Sequence, residues 1–377
     1  MSDKCPVNSH NEWSPIQEVI VGTVFDHNMN GLDLSFKLFF HDNLFGQDLY
    51  GCKYDKDVVI KKQYVQEMGE DLEGFVNILE DYGATVRRPK TPTKVTTTTT
   101  PYWKSSDFYA LNVRDQTMIV GNEIIETPPT VRYRYFENDL MKHLFLEYFK
   151  QGAKWTVAPR PLLLNSSFDI AYVIENCEED MKDWFREVTS KEDPMNCGHE
   201  IIFDAANCMR FGNTILMNAV TENQRLGAQW LQRHLGDEYN IETIGICDSH
   251  IDSCILPLRE GLLLVDWTHF NNVNEFPEFL KNWDIIEAPI SEHEEYDYDN
   301  DDIMLASTSI DANVFSLDEN NIVCHDSTYK LLQPLLKPYG INCTPCRFRH
   351  SRIFSGAFHC TTLDIRRDSK LENYFNE

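Results

Sequence analysis

Six polar residues, at four places in the chain, have the side chains needed for covalent catalysis at a cationic carbon atom. They are Asp115, Asp204, His250, Asp252, His359 and Cys360. A thiolate can attack an electron-poor carbon, an imidazole can transfer protons, and carboxylates can hold a cation. Taken singly, an Asp before a strand is usually a turn or cap residue, and a buried Cys usually packs as a small apolar residue. We assign the six to one site because they hold matching positions in repeated units.

The repeated unit has two short apolar segments joined by a turn, then a helix, then a third apolar segment. The turns of four copies are, in chain order, Gly121-Asn122, Gly212-Asn213, Glu260-Gly261 and Glu319-Asn320. Short apolar runs bounded by such turn residues predict strands, and apolar residues three and four apart predict helices. The fourth helix, Ser327–Tyr339, contains Pro334 and should be kinked or shortened there.

The two ends of the chain supply a fifth copy. Strands are predicted at Ile16–Val24, Ala84–Arg88 and Phe354–Arg366, and a helix at Met68–Tyr82. A ring of five units that pairs its own ends leaves no sheet edge open. The sequence therefore predicts an α/β fold, a five-bladed pseudo-symmetric propeller of ββαβ units that forms a single domain over residues 1–377 and is closed by its N- and C-terminal segments. In such a ring the loops before the first strands meet around one axis.

Charge and hydropathy exclude several classes of partner. The chain of 377 residues has 34 Lys and Arg against 60 Asp and Glu, a formal net charge of −26. Because nucleic-acid binding needs a cationic surface, nucleic acid and anionic membranes are poor partners. No apolar run approaches the ~20 residues of a membrane-spanning helix, and the N-terminus lacks the apolar core of a secretory signal. Eleven scattered Cys favour free thiols in a reducing cytoplasm over a disulfide framework.

A second pair of sulfur atoms could also carry chemistry. Cys343 and Cys346 have the C-x-x-C spacing of a redox dithiol or of half a zinc site. His350 or His359 could complete a zinc site, but no second C-x-x-C occurs. A redox motif would begin a helix, whereas this pair lies in an apolar run, so structural thiols are favoured. The chain has no Gly-rich phosphate-binding loop, and nothing supports a nucleotide cofactor.

The chain resembles the amidinotransferases, the family that includes arginine:glycine amidinotransferase. Similar blocks span nearly the whole sequence, and the most specific motifs are FDAA at 203–206, HID at 250–252 and FHC at 358–360. The resemblance implies a pentein-type five-bladed propeller with a buried axial active site. It also implies ping-pong transfer of the amidino group of L-arginine to a primary amine, with release of L-ornithine. No metal or organic cofactor is implied, and a homodimer is common among such enzymes.

The same resemblance assigns roles to the matching residues. Cys360 would be the nucleophile that attacks the guanidinium carbon. His250 would protonate the departing ornithine and later deprotonate the acceptor amine, and Asp204 would orient His250. Asp115 and Asp252 would hold the guanidinium. A guanidinium is a planar cation that pairs with carboxylates through two parallel hydrogen bonds, so two acids can fix its plane.

The acceptor pocket departs from that of the glycine-using members. Cys247 and Ser249 stand where those enzymes have Asn and Met before HID, and the smaller Ser should enlarge the pocket. Their carboxylate-binding Arg has no clear counterpart near Trp267–His269, although Ser307 falls at the position of a pocket Ser. These changes resemble the bacterial branch that serves specialised metabolism, including saxitoxin biosynthesis. They imply that the acceptor is an alkyl amine other than glycine.

Three other functions stay open. They are an arginine:glycine amidinotransferase, an arginine deiminase-type hydrolase in which water replaces the amine, and a propeller without catalysis that binds cations through its acidic field. The FDAA and FHC motifs favour transfer, and citrulline as a product would identify the hydrolase. The loops around residues 25–45 and 290–310 are expected to shape the acceptor pocket.

Overall fold

A computed structural model of the chain describes residues 5–25, 28–29, 34–39, 58–94, 96–106, 109–177, 179–189, 194–247, 250–270, 274, 276–289, 298, 302, 305–306, 310 and 312–375. Ser249 and Ser307, both predicted in the acceptor pocket, lie outside these residues, as does most of the stretch 290–310. Within the described ranges, no helix combines the length and the hydropathy needed to cross a membrane.

The secondary structure consists of short strands interspersed with helices. The strands are β1 (Ile16–Val21), β2 (Asn28–Met29), β3 (Val58–Val59), β4 (Thr85–Arg87), β5 (Thr97–Thr99), β6 (Lys104–Ser106), β7 (Thr117–Val120), β8 (Glu123–Glu126), β9 (Lys154–Val157), β10 (Cys208–Phe211), β11 (Thr214–Asn218), β12 (Asn240–Ile244), β13 (Ile255–Arg259), β14 (Leu262–Val265), β15 (Asp284–Glu287), β16 (Phe315–Asp318), β17 (Asn321–His325), β18 (Asn342–Cys346) and β19 (Thr362–Arg367). The helices are α1 (Leu34–Phe39), α2 (Lys62–Tyr82), α3 (Lys142–Lys150), α4 (Ile170–Asn176), α5 (Lys182–Thr189), α6 (Glu222–Leu235), α7 (Asp326–Leu336) and α8 (Ser351–Phe354).

Five three-stranded sheets with one shared strand order occur among the described residues. They are β7-β8-β9, β10-β11-β12, β13-β14-β15, β16-β17-β18 and β19-β1-β4. In each sheet the first two strands pair antiparallel and the third pairs parallel to the second. Four of the parallel connections pass through a helix, whereas the connection from β14 to β15 contains the 3-10 turns of Trp267–His269 and Glu278–Leu280. The predicted strand order of the unit, and the fifth sheet made from both chain ends, are confirmed, whereas the unit of β13, β14 and β15 has 3-10 turns among its described residues in place of the predicted helix.

Local sequence explains how the units form. Gly121 and Gly212 turn two of the hairpins with φ of 57° and 67°, a conformation that other residues rarely adopt. Helix α6 begins with a capping box, in which the Thr221 side chain accepts a hydrogen bond from the backbone N–H of Gln224 and the Gln224 side chain accepts one from the backbone N–H of Thr221. Apolar side chains three and four residues apart bury one face of α2 against its sheet.

The last predicted strand begins later than expected. Residues Ser351–Phe354 form the short helix α8, and β19 starts only at Thr362. His350 and Ser355, on either side of α8, have φ of 61° and 55°, which breaks an extended course. The apolar run around Phe358 therefore marks a buried loop rather than a strand, and Cys360 lies in the loop that leads into β19. Helix α7 continues past Pro334 but ends at Leu336, earlier than predicted.

Candidate active site

The candidate residues lie in the loops that precede the first strands of the sheets, as the repeat predicts. Asp115 precedes β7, Asp204 precedes β10, Asp252 precedes β13 and Cys360 precedes β19. All four side chains are buried. Short contacts join Asp204 and Asp115 to His250, and Cys360 to Asp252. Electrostatic interactions of Asp252 with His250 and of Asp115 with Cys360 connect the two groups, although the residues are far apart in the sequence.

Two aspartates hold the ring of His250. Its Nε2 lies 3.0 Å from Oδ2 of Asp204, and its Nδ1 lies 3.8 Å from Oδ1 of Asp115. Asp204 is itself fixed, because its Oδ1 accepts a hydrogen bond from Nε2 of Gln116 at 2.9 Å and its Oδ2 accepts one from the hydroxyl of Thr130 at 2.8 Å. The oriented carboxylate sets the position of the imidazole.

The electrostatic surroundings make His250 a proton donor at neutral pH. Burial by itself lowers its pKa, but the charge of Asp115 and the hydrogen bond to Asp204 outweigh burial and raise the pKa of His250 to about 9. Burial also opposes ionisation of Asp204, yet the bond to His250 brings the pKa of Asp204 below its usual value. The pair is therefore an imidazolium beside a carboxylate.

The thiol of Cys360 lies in a negatively charged environment. Its Sγ donates to Oδ2 of Asp252 over 3.4 Å. Burial, followed by the charges of Asp252 and Asp115, raises the pKa of Cys360 well above its usual value. The resting side chain is therefore a thiol. A cation bound between the two acids would offset their charges and favour the thiolate.

Asn313 is a residue of the site that the sequence analysis missed. Its side-chain Oδ1 accepts a hydrogen bond from the backbone N–H of Cys360 at 3.0 Å, and its Nδ2 donates to the backbone oxygen of Asp252 at 3.2 Å. One side chain thus connects the loop of the thiol with the loop of the acid. The repeat carried a signal for it, because Asn313 precedes β16, the first strand of the fourth unit, just as Asp115 precedes β7.

Asp115 and Asp252 each have one oxygen engaged by the protein. Oδ2 of Asp115 accepts from Nη1 of Arg134 at 2.6 Å, and Oδ2 of Asp252 lies 2.9 Å from Nδ1 of His359. In the described part of the chain, neither Oδ1 has a hydrogen-bond partner, although both atoms are buried. Unpaired buried carboxylate oxygens are costly, so these two indicate a site for a cation with N–H donors. Each acid offers one oxygen rather than the expected pair, and a planar cation would bridge the two.

A buried network of ion pairs lies behind Cys360. Arg210 donates to Oε1 of Glu12 at 2.7 Å and to Oδ2 of Asp364 at 2.7 Å, and Arg114 donates to Oδ1 of Asp364 at 2.6 Å. Nε of Arg114 also donates to the backbone oxygen of His359 at 3.0 Å, which anchors the loop of the thiol. No role could be assigned to these residues from the sequence, since ion pairing between distant segments has no signal in a single sequence.

Cys247, predicted in the acceptor pocket, lies in the hydrophobic core. Its side chain is 1% exposed and belongs to the apolar cluster that contains Ile246 and Cys254. The hydrogen bond that Cys254 donates to Cys247, together with burial, raises the pKa of Cys254 well above its usual value. The role of Cys247 in the acceptor pocket stays a prediction, because a position just before a motif does not tell which way a side chain points.

The C-x-x-C pair is part of a sheet. Cys343 and Cys346 lie in β18, and Cys343 contacts Cys324 on the neighbouring strand through a hydrogen bond that raises the pKa of Cys324. His350 and His359 are engaged elsewhere, with Nε2 of His350 at 2.5 Å from Glu67. Within the described ranges, no three His, Cys, Asp or Glu residues form a metal-binding cluster, and the described Cys are free thiols.

Individual proteins resemble the chain over nearly its whole length, although no protein-family model matches it. It is 33% identical to inosamine-phosphate amidinotransferase 1 of Streptomyces glaucescens over 371 residues, and this alignment covers 98% of this chain and 99% of that protein. It is 32% identical to L-arginine:L-lysine amidinotransferase of Pseudomonas savastanoi pv. phaseolicola over 374 residues, and this alignment covers 98% of this chain and 96% of that protein. The solved structure of SxtG, an amidinotransferase from Microseira wollei in the saxitoxin biosynthetic pathway, matches with a TM-score of 0.79 at 34% identity, covering 98% of this chain and 100% of that chain.

Proposed function

The chain belongs to the amidinotransferase family, and we propose that it moves the amidino group of L-arginine to a primary amine through a covalent intermediate on Cys360. The observation that carries this proposal is that two buried carboxylate oxygens of the site, Oδ1 of Asp115 and Oδ1 of Asp252, have no hydrogen-bond partner among the described residues, and that Asp252 contacts the thiol. A guanidinium supplies the missing positive charge and N–H donors together.

In the first half-reaction, Sγ of Cys360 forms a bond to the guanidinium carbon and the bond from this carbon to the side-chain nitrogen of ornithine breaks. The thiol of Cys360 releases its proton to solvent when the cation binds, and the departing nitrogen gains the proton that His250 delivers as general acid, which leaves His250 neutral. The products are neutral ornithine amine and an amidino-cysteine that keeps the positive charge. Binding of the cation beside Asp252 and Asp115 favours thiolate formation, because these are the charges that raise the pKa of Cys360 in the free enzyme.

In the second half-reaction, the nitrogen of an acceptor amine attacks the amidino carbon and the bond to Sγ breaks. His250, now neutral, accepts a proton from the attacking amine, and Cys360 leaves as a thiolate, which takes up one proton from solvent to restore the thiol. The new guanidinium leaves with the charge that arginine brought. Asp204 holds the ring in place in both steps and stabilises the imidazolium, as the acid does in a hydrolytic triad.

For the acceptor we propose an alkyl amine other than glycine, in specialised metabolism of the saxitoxin type. Support comes from the replacement of Met by Ser249 before HID and from the missing carboxylate-binding Arg. Three similar proteins are named for inosamine phosphate, L-lysine and saxitoxin biosynthesis, which supports an acceptor that varies within the family. Comparing glycine with alkyl amines after loading with L-arginine tests this, since efficient use of glycine would contradict it.

We also propose that the five sheets surround one axis as the blades of a propeller, in one domain over residues 1–377, and that the enzyme forms a homodimer in the cytoplasm. The shared strand order of the sheets and the meeting of their first loops at one site support the propeller. The scattered Cys support a reducing compartment. Sedimentation of the full chain measures the oligomeric state.

The decisive experiment is intact-protein mass spectrometry after incubation with L-arginine alone. We expect the wild type to gain one amidino group, about 42 Da, as a covalent intermediate. Cys360→Ala should gain none. Cys324→Ala is the matched control, because Cys324 is an equally buried thiol in β17 and should still permit the gain. Citrulline without an adduct would identify an arginine deiminase-type hydrolase, and arginine binding without adduct or product would identify a binding protein.

A further inference from the structure

An apolar cavity lies beside the candidate active site. It has a volume of about 560 Å³ including its opening to solvent, and it lies among α1, α4 and the start of α6. Its apolar wall includes Leu38, Phe168, Val173, Ile202 and Val220. No role in the reaction described above uses this space.

The polar side chains on its wall are engaged within the protein. Asp169 accepts hydrogen bonds from the backbone N–H groups of Tyr172 and Glu222, at the starts of α4 and α6. Asn223 donates to the backbone oxygens of Ser167 and Glu200 and accepts from the backbone N–H of Asp169. A ligand in the cavity therefore finds polar groups that already have partners, which suits a hydrocarbon better than a polar group.

The cavity shares its wall with the proton-transfer pair. Phe39 lines the cavity, and its ring centre lies 5.5 Å from that of His250. Thr130 also lines the cavity, and its hydroxyl donates to Oδ2 of Asp204 at 2.8 Å. Phe39 and Thr130 thus line the apolar space and also contact His250 and Asp204.

We propose that the cavity binds the hydrocarbon chain of the acceptor amine while the amine itself faces His250. This rests on the proposed function and specifies its acceptor as a linear, apolar primary amine. Glycine has no hydrocarbon chain to place in the cavity, whereas each methylene group of a longer amine is transferred from water to contact with the apolar wall. A methylene buried in this way is worth about 0.8 kcal/mol, or about a fourfold gain in kcat/KM.

The test uses a series of n-alkylamines from ethylamine to n-octylamine with L-arginine as donor. In the wild type we expect kcat/KM to rise about fourfold per methylene. Val173→Phe fills the cavity from α4 and should abolish the rise, while amidino-cysteine formation from L-arginine alone stays as in the wild type. Glu175→Phe is the control, because Glu175 is an exposed residue of the same helix, outside the cavity. A flat series in the wild type, or an unchanged rise in Val173→Phe, overturns the proposal.

Two further measurements keep the test decisive. If Val173→Phe does not fold, Val220→Phe is the alternative, because Val220 is a half-buried residue at the edge of the cavity. It should also abolish the rise of kcat/KM with chain length. Binding of n-octanol needs no turnover, and it should raise the Tm of the wild type but not of the filled variant. Absence of the amidino-cysteine in the wild type would refute the proposed function, and absence of the octanol effect would refute the cavity site.

Discussion

Raising the pH should remove a measurable part of the stability that His250 gives to the folded protein. Its folded-state pKa is raised from 6.5 to about 9, so the folded chain binds this proton more tightly than the unfolded chain. The contribution is therefore fully present below pH 6.5 and is lost as the pH rises through 9. Each tenfold change in proton affinity is worth about 1.4 kcal/mol. The side chain is 14% exposed, so solvent screening is limited.

Linkage sets the size of the effect. The full contribution is ~3.4 kcal/mol, of which ~2.6 kcal/mol is present at pH 7 and almost none at pH 10. Asp204, whose pKa is lowered, is ionised over this whole interval and adds no pH dependence of its own. Other groups titrate above pH 9 in both proteins. The quantity to measure is therefore the difference in the free energy of unfolding between the wild type and His250→Gln, because the contributions of those groups cancel in it.

Urea unfolding of both proteins at pH 7 and pH 10 measures this difference. Urea is preferred because guanidinium would occupy the proposed site. We expect the stability advantage of the wild type over His250→Gln to shrink by about 2.5 kcal/mol between the two pH values. The imidazole NMR signal that is missing in His250→Gln should titrate near pH 9 in the wild type. An advantage that stays constant or grows with pH, or a signal that titrates near 6.5, would refute the electrostatic reasoning.

Three further predictions concern the neighbours of this pair. Asp252→Asn removes the nearest charge that raises the pKa of Cys360, so iodoacetamide should alkylate this thiol several-fold faster at pH 7.5 than in the wild type; an equal or lower rate would contradict the assignment. Asn313→Ala removes the bond that positions the backbone of Cys360, and we expect kcat to fall about 10- to 100-fold with little change in KM for L-arginine, whereas a change confined to KM would show that Asn313 acts on binding. Arg134→Met removes the guanidinium that pairs with two buried carboxylates, Asp115 and Glu137, which should cost about 3–5 kcal/mol in the free energy of unfolding at neutral pH. Urea unfolding checks this, and a loss below about 1 kcal/mol would mean that solvent replaces the pair.

The repeat could be read from the sequence because its signals are local. Turn residues such as Gly121-Asn122 mark the hairpins, and the apolar periodicity of segments such as Met68–Tyr82 marks the helices. The positions of Asp115, Asp204, Asp252 and Cys360 before first strands then followed from counting along each unit. The late start of β19 did not follow, since a buried loop and a buried strand have the same apolar composition.

What only the tertiary structure decided is which groups remain unpaired and which are neutral. The resemblance named Asp115 and Asp252 as cation-binding acids, but the folded chain pairs one oxygen of each with Arg134 or His359 and leaves the other without a hydrogen-bond partner among the described residues. The tertiary structure also buries Cys247 in the hydrophobic core and places the side chain of Asn313 in hydrogen-bond contact with the backbone of Cys360. Residue type and spacing set the chemical groups that the chain can offer. Their pKa values and free hydrogen-bonding capacity depend on burial and on partners from distant segments, and these exist only once the loops of separate sheets have come together.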